Sequence, residues 1–102
     1  MRRVMVRYKV KPERVAENEE LVRAVYAELA QARPPGLRYE TFKLDDGVSF
    51  VHFAVTAERP GPLAEVAAFA RFQHGIAERC DEPPAVTELE RVGAYDPAAE
   101  AA

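Results

Sequence analysis

The stretch Leu37–Val55, LRYETFKLDDGVSFVHFAV, constrains this chain most, because it specifies a β-hairpin. Asp46-Gly47 supplies residues tolerant of positive φ, which a tight two-residue turn requires. The flanking runs are rich in β-branched and aromatic residues: Tyr39, Thr41 and Phe42 before the turn, Phe50, Val51, Phe53 and Val55 after it. A two-residue turn pairs Asp45 with Val48, and that sets the register outward. Phe42 then faces Val51 and Glu40 faces Phe53, with Leu44 and Val55 on the same side. The opposite side carries Lys43 with Phe50, Thr41 with His52, and Tyr39 with Ala54. The first side is mostly apolar and suits packing against helices. The second mixes aromatic, hydroxyl, imidazole and amine groups, which suits a semi-polar cavity or an interface.

Upstream, Arg3–Val10 alternates, with Val4, Val6, Tyr8 and Val10 on one face and Arg3, Met5, Arg7 and Lys9 on the other. This predicts a first strand with a core side and a charged or lumen side. Pro12 can open a helix, with Glu13 in its first turn. From Glu13 to Ala32, Val15, Leu21, Val22, Val25 and Leu29 recur at helical spacing. Pro34 disfavours helical geometry at Arg33 and stops the helix. After the hairpin, Glu58-Arg59-Pro60-Gly61-Pro62 is a second stop. Val66, Phe69, Phe72, Ile76 and Cys80 then make the apolar stripe of a helix over 63–80. Asp81-Glu82-Pro83-Pro84 terminates it, 86–95 reads as the last strand, and 96–102 as a frayed, disordered tail.

The order β-α-β-β-α-β is the ferredoxin-like arrangement, an α+β fold with a four-stranded antiparallel sheet and two helices on one face. Residues 1–95 form one domain in this reading. The first strand is central, between the third and fourth. That places Arg7 and Lys9 near Glu88 or Glu90 on one side and near Phe50 or His52 on the other. The helix-free face, carrying Tyr39, Phe50 and Met5, is partly apolar, and a second subunit would cover it.

Composition narrows the function classes. At 102 residues with a net charge of −3, the chain has no basic field for gripping phosphates, so nucleic acid is not an expected partner. Its one cysteine, Cys80, excludes an internal disulfide and suits a reducing cytoplasm. Arg7 and Lys9 interrupt any apolar run after Met1, so neither a signal peptide nor a membrane span is expected.

Several residues carry the resemblance that follows: Tyr8-Lys9-Val10-Lys11-Pro12 from strand to helix, and Pro35-Gly36-Leu37-Arg38-Tyr39 opening the second strand. Phe69-x-x-Phe72 with Ile76, and Val92-Gly93-Ala94-Tyr95 closing the last strand, complete it. Over residues 3–95 the chain resembles the antibiotic-biosynthesis-monooxygenase-like domains of the dimeric α/β-barrel superfamily. The resemblance implies a homodimer whose sheets pair into a barrel, with a cavity in each protomer. It also implies chemistry of two sorts: cofactor-free oxygenation of electron-rich polycyclic phenols or quinols, or haem degradation. Enzymes of this kind commonly use a tryptophan with an asparagine, and the haem degraders add a histidine. This chain has no Trp, and its only Asn is Asn18, in the first helix.

His52, mid-strand on the mixed face, is the leading candidate. Its imidazole could titrate near neutrality, remove a phenolic proton or bind a metal; alternatively it is a partly buried histidine bonded to Thr41 or a carboxylate. Arg7 and Tyr39 complete the expected catalytic set. Phe50, Thr41, Met5, Phe72 and Glu88 are the expected substrate contacts. Arg7, Lys9, Glu88 and Glu90 could equally form a cross-strand salt-bridge ladder. His74 falls about 150° from its helix's apolar stripe and reads as a surface residue. The two histidines have no ligand spacing, so no metal is expected, and neither is a cofactor. Two functions follow. One is a cofactor-independent monooxygenase, an oxidoreductase acting on a small aromatic, quinol or polyketide-like molecule. The other is a non-catalytic dimer that binds a small molecule or serves a structural role.

Overall fold

A computed structural model describes residues 1–57 and 61–97. The alternation of the N-terminal run becomes β1, Arg2–Val10, whose Val4, Tyr8 and Val10 are buried. A short 3-10 turn, Pro12–Arg14, leads into α1, Val15–Ala32. Arg33 ends that helix in the left-handed conformation, φ 47°, its amide donating to the Leu29 carbonyl. The hairpin follows as β2, Leu37–Lys43, and β3, Ser49–Thr56. A 3-10 turn at Pro62–Glu65 precedes α2, Ala67–Gln73, then α3, Ile76–Arg79, and β4, Cys80–Glu88. The strand order is β2-β3-β1-β4, every neighbouring pair antiparallel. This is the ferredoxin-like α+β arrangement, with β1 central between the third and fourth strands.

The hairpin register is the expected one, with Tyr39 opposite Ala54, Thr41 opposite His52 and Phe42 opposite Val51. The turn itself is wider than two residues. Strand pairing stops at Lys43 with Phe50, the Leu44 amide still reaches the Ser49 carbonyl, and the Gly47 amide closes on Leu44. Asp46 holds this loop. Its carboxylate accepts from the Val48 and Ser49 amides and from the Ser49 hydroxyl, which holds its pKa down at about 2. A carboxylate that organises the loop leaves the register unchanged, because Asp45 and Val48 stay opposite without pairing.

Which side of the sheet faces the helices is the reverse of the expectation. The mixed side, with Tyr39, Phe50, His52 and Ala54, lies under the helices beside Val4, Val6, Tyr8 and Val10. The apolar side, with Phe42 and Phe53 in edge contact, is helix-free and leaves Phe42 half exposed. Pairing explains the outcome: β1 sits beside β3 with Val6 opposite His52 and Tyr8 opposite Phe50, so the Val4–Val6–Tyr8–Val10 side of β1 draws His52 inward with it. Tyr39 and Phe50 therefore do not lie on the helix-free face, whereas Met5 does. Arg7 stands opposite Val51 and Ala85, not between a carboxylate and His52.

The second helix is broken. Gly75, at φ 71°, separates α2 from α3, and Cys80 begins the last strand where a helix end was expected. The last strand thus runs over Cys80–Glu88, not 86–95, and Val92-Gly93-Ala94-Tyr95 lies beyond it, with Val92 and Tyr95 exposed. Pro83 and Pro84 fall inside this strand because it is an edge strand with a register irregularity there, between Ala85 and Glu82, where a missing amide donor costs little. The expected stop at Glu58-Arg59-Pro60 and the expected fraying of 98–102 lie outside the described residues. No helix among the described residues is long and apolar enough to cross a membrane.

The core joins Tyr8, Val10, Val22, Val25, Phe50, Val66, Ala68, Phe72 and Cys80. Tyr8 is at its centre, stacked on Phe50 at 5.5 Å and tilted against Phe72 at 6.1 Å. Glu28 of α1 ties the helices together by accepting from the Ala67 and Ala68 amides at the start of α2. With α2 held this way, Phe72 comes down over the imidazole of His52 and Phe69 meets the ring of Tyr39 edge-on.

Candidate functional site

Between the helix side of the sheet and α2 lies a cavity of about 650 Å³. Its lining is mostly apolar: Val4, Val6, Ala54, Leu63, Phe69, Phe72, Ile76 and Val86, with Tyr8, Tyr39 and His52 as the central polar groups. The size and this mixture match a small-molecule site. Thr56 Oγ1, buried and without a partner among the described residues, is a further polar point on the lining. It stands four residues from His52 on the same strand face, about 13 Å away at the strand rise.

The polar groups form one continuous chain. The Arg79 Nε–H donates to Asn18 Oδ1 at 3.3 Å, and Asn18 Nδ2 donates to Tyr8 Oη at 3.0 Å. Tyr8 Oη meets His52 Nε2 at 2.7 Å. On the other side of the ring, His52 Nδ1 meets Tyr39 Oη at 2.6 Å and Thr41 Oγ1 at 3.1 Å. Tyr26 Oη closes on Thr41 Oγ1 at 2.7 Å. Five segments contribute: α1 gives Asn18 and Tyr26, β1 gives Tyr8, β2 gives Tyr39 and Thr41, β3 gives His52, and α3 gives Arg79.

Burial sets the electrostatics. His52 is 4% exposed, and desolvation of the imidazolium lowers its pKa from 6.5 to about 4, so the ring is neutral at physiological pH. The same effect pushes the Tyr8 and Tyr39 phenols up, so both remain protonated donors. Phe72 covers the imidazole at 5.2 Å and also lies under the Arg79 guanidinium, 5.4 Å from its ring centre. Arg79 itself is buried, and its remaining donors reach the Phe72 carbonyl at 2.6 Å and the His74 carbonyl at 3.1 Å. Burial lowers its pKa, yet the guanidinium stays charged.

Of the residues expected at the site, His52, Tyr39 and Phe72 come together on the cavity wall. Thr41 and Phe50 stand behind it, Thr41 holding the imidazole and Phe50 supporting Tyr8. Glu88 reaches the rim through a 3.0 Å ion pair with Arg2, a lining residue. Arg7 and Met5 are on the other face of the sheet and reach none of these groups. In place of the expected ladder, Lys9 pairs with Glu82 at 3.9 Å. His74 is exposed, as its helical angle predicts. Both nitrogens of His52 are already engaged, so the ring faces a ligand through its tyrosines and does not offer a free basic nitrogen. Among the described residues no group of three or more His, Cys, Asp or Glu could hold a metal.

Four members of the chain are not among the residues the sequence singles out for the site: Tyr8, Asn18, Tyr26 and Arg79. In sequence Tyr8 is one more core residue of an alternating strand. Asn18 carried a signal, since it falls four and seven residues before Val22 and Val25, placing an amide on the buried stripe of α1. Arg79 gave none, because its burial follows from the break at Gly75.

No protein-family model matches the chain, and no curated protein matches it. Solved structures do. A candidate antibiotic biosynthesis monooxygenase from Nitrosomonas europaea superposes with a TM-score of 0.73 at 21% identity, covering 91% of this chain and 100% of its own. A second such candidate, from Caulobacter crescentus, gives 0.68 at 20% identity, covering 90% of each chain. SnoaB, a cofactor-independent oxygenase from Streptomyces nogalater, gives 0.65 at 17% identity, covering 91% of this chain and 94% of its own. This chain has the ferredoxin-like fold of the antibiotic-biosynthesis-monooxygenase-like structures.

Proposed function

We propose that this protein binds a planar phenol or quinol of several fused rings in the cavity and oxygenates it without a cofactor. The observation that carries the reading is the Tyr8–His52–Tyr39 triplet set into a mostly apolar wall. Phe69 and Phe72 suit the faces of an aromatic molecule, and the Thr56 hydroxyl supplies a second polar anchor. The neighbours named as monooxygenases support the same chemistry. In this reading the Tyr39 hydroxyl donates to the substrate oxygen and favours its anion, with His52 behind it, the phenolic proton passing to solvent and returning in the water released at the end; a donor in a dry site stabilises charge more than water does. The phenolate passes one electron to O₂, and the resulting radical pair joins in a new C–O bond. Where the oxidised carbon carries two hydrogens in its keto form, one oxygen atom becomes a carbonyl and the other leaves as water with those hydrogens. The substrate is then the only reductant.

The helix-free face, with Met5, Phe42 and Phe53, is the surface through which two copies would pair into a homodimer. The test of the activity is oxygen uptake with anthrone and with 1,4-dihydroxynaphthalene. The wild type is expected to consume O₂ well above the uncatalysed rate, and His52→Ala to lose this while remaining folded by circular dichroism. Uptake unchanged in His52→Ala contradicts the reading. A second reading, binding without turnover, draws on the engagement of both imidazole nitrogens; it is the outcome if these compounds raise the melting temperature but no oxygen is consumed.

A further inference from the structure

The polar chain has a direction, and the direction comes from its buried end. Arg79 can only donate, so the Asn18 oxygen must face it and the Asn18 NH₂ must face Tyr8. The reversed amide would set donor against donor. Tyr8 Oη therefore accepts from Asn18 and still has one hydrogen to place. Its other partner is His52 Nε2 at 2.7 Å. If Nε2 carried the proton, Tyr8 would accept twice and its own hydrogen would be left without a protein acceptor in a residue 2% exposed. Tyr8 donates to Nε2, and the proton of the neutral imidazole sits on Nδ1. Nδ1–H then donates to Tyr39 Oη at 2.6 Å, with Thr41 Oγ1 alongside at 3.1 Å.

We infer that Arg79 is a positioning residue: through Asn18 and Tyr8 it fixes His52 as the Nδ1–H tautomer and makes the Tyr39 hydroxyl a donor toward the cavity, fitting the site to a ligand with an acceptor oxygen, a phenolate or a quinone carbonyl. Having accepted from His52, Tyr39 has its hydrogen left for the neighbouring Thr41 hydroxyl or for the ligand. A charged or carbonyl oxygen is a stronger acceptor than that hydroxyl. The inference deepens the functional reading of the same cavity, since it specifies which side of the hydrogen bond the protein supplies.

The test reads the tautomer directly. In ¹⁵N-histidine-labelled protein at pH 7, long-range ¹H–¹⁵N correlations show which ring nitrogen bears the proton, and His74→Gln identifies the His52 signals. The wild type is expected to show Nδ1–H alone; Nε2–H, or an even mixture, overturns the inference. In Tyr8→Phe nothing donates to Nε2, and the population is expected to move toward Nε2–H. An unmoved Nδ1–H pattern there means that the direction does not arrive from Arg79, and it too overturns the inference. The ligand arm uses anthraquinone-2-sulfonate, whose ring oxygens only accept. Its affinity is expected to fall about tenfold in Tyr39→Phe, the loss of one net hydrogen bond. Equal affinity, or no binding to the wild type, contradicts the acceptor assignment. None of these readouts involves oxygen consumption, so the tautomer can fail while the oxygenase reading stands, and the reverse.

Discussion

The two faces of this one sheet treat polar residues in opposite ways. Under the helices, Tyr8, Thr41 and His52 are held within 2.6 to 3.1 Å of their partners, and burial moves the imidazole pKa from 6.5 to about 4. On the open face Lys9 pairs with Glu82 at 3.9 Å, and at the exposed end of the covered face Lys43 pairs with Glu19 of α1 at 2.7 Å, both with partly exposed side chains. Water competes for every such pair, which keeps their contribution small. Polar side chains therefore make a fixed array where packing excludes water and a set of loosely coupled charges where it does not. A polar residue on the covered face carries more structural and chemical consequence than one on the open face.

The sharpest way to break this comparison is at Phe72, which covers both His52 and Arg79. Phe72→Ala is expected to cost about 3–5 kcal/mol by urea denaturation, as large-to-small changes in packed cores do. A loss below ~1 kcal/mol would mean that α2 does not seal this face.

The acid limb comes next. His52 has a lower pKa folded, about 4, than unfolded, 6.5, so between those values the unfolded chain binds more protons. Its contribution is therefore complete above pH 6.5 and is lost as pH falls through that value toward about 4. The expected loss is on the order of 3 kcal/mol. His52→Gln should flatten this segment of the stability–pH curve, and an unchanged slope would contradict the burial of the imidazole.

A smaller effect is expected from Tyr8→Phe. It keeps the ring but leaves Asn18 Nδ2 and His52 Nε2 without their shared partner, at about 1–3 kcal/mol. The smallest effect belongs to the other array. Lys9→Ala should change stability by less than ~1 kcal/mol, and added salt should shrink even that. Phe42→Glu should leave each protomer folded and move the sedimentation of the proposed homodimer toward the monomer.

How much of this was legible in the sequence depended on how local the determining signal was. The hairpin register could be read because alternation and turn propensity are properties of neighbouring residues, and His52 opposite Thr41 follows from them. The side facing the helices could not be read from the hairpin alone. It was decided by β1, whose largely apolar row pairs with the Phe50–His52–Ala54 row of β3. The last strand was misplaced because Pro83-Pro84 signals a stop unless the strand is known to lie at an edge, and edge position is a matter of topology. Tyr39 and His52 were within reach of sequence reasoning for the same reason as the register. Asn18 and Arg79 are brought to Tyr8 by the packing of two helices on the sheet, across 61 residues of sequence in the case of their mutual bond.

A thermal-shift titration with a polycyclic phenol compares the two faces in one measurement. At ~100 times its dissociation constant a ligand adds about 2.7 kcal/mol to the stability of the wild type. That should raise the midpoint by roughly 10 °C or more in a domain of this size. The expected result is that Arg7→Gln, on the open face, keeps the full shift and Tyr39→Phe, on the cavity wall, loses a large part of it. A shift lost in Arg7→Gln and kept in Tyr39→Phe would place the ligand on the wrong side of the sheet and contradict the account.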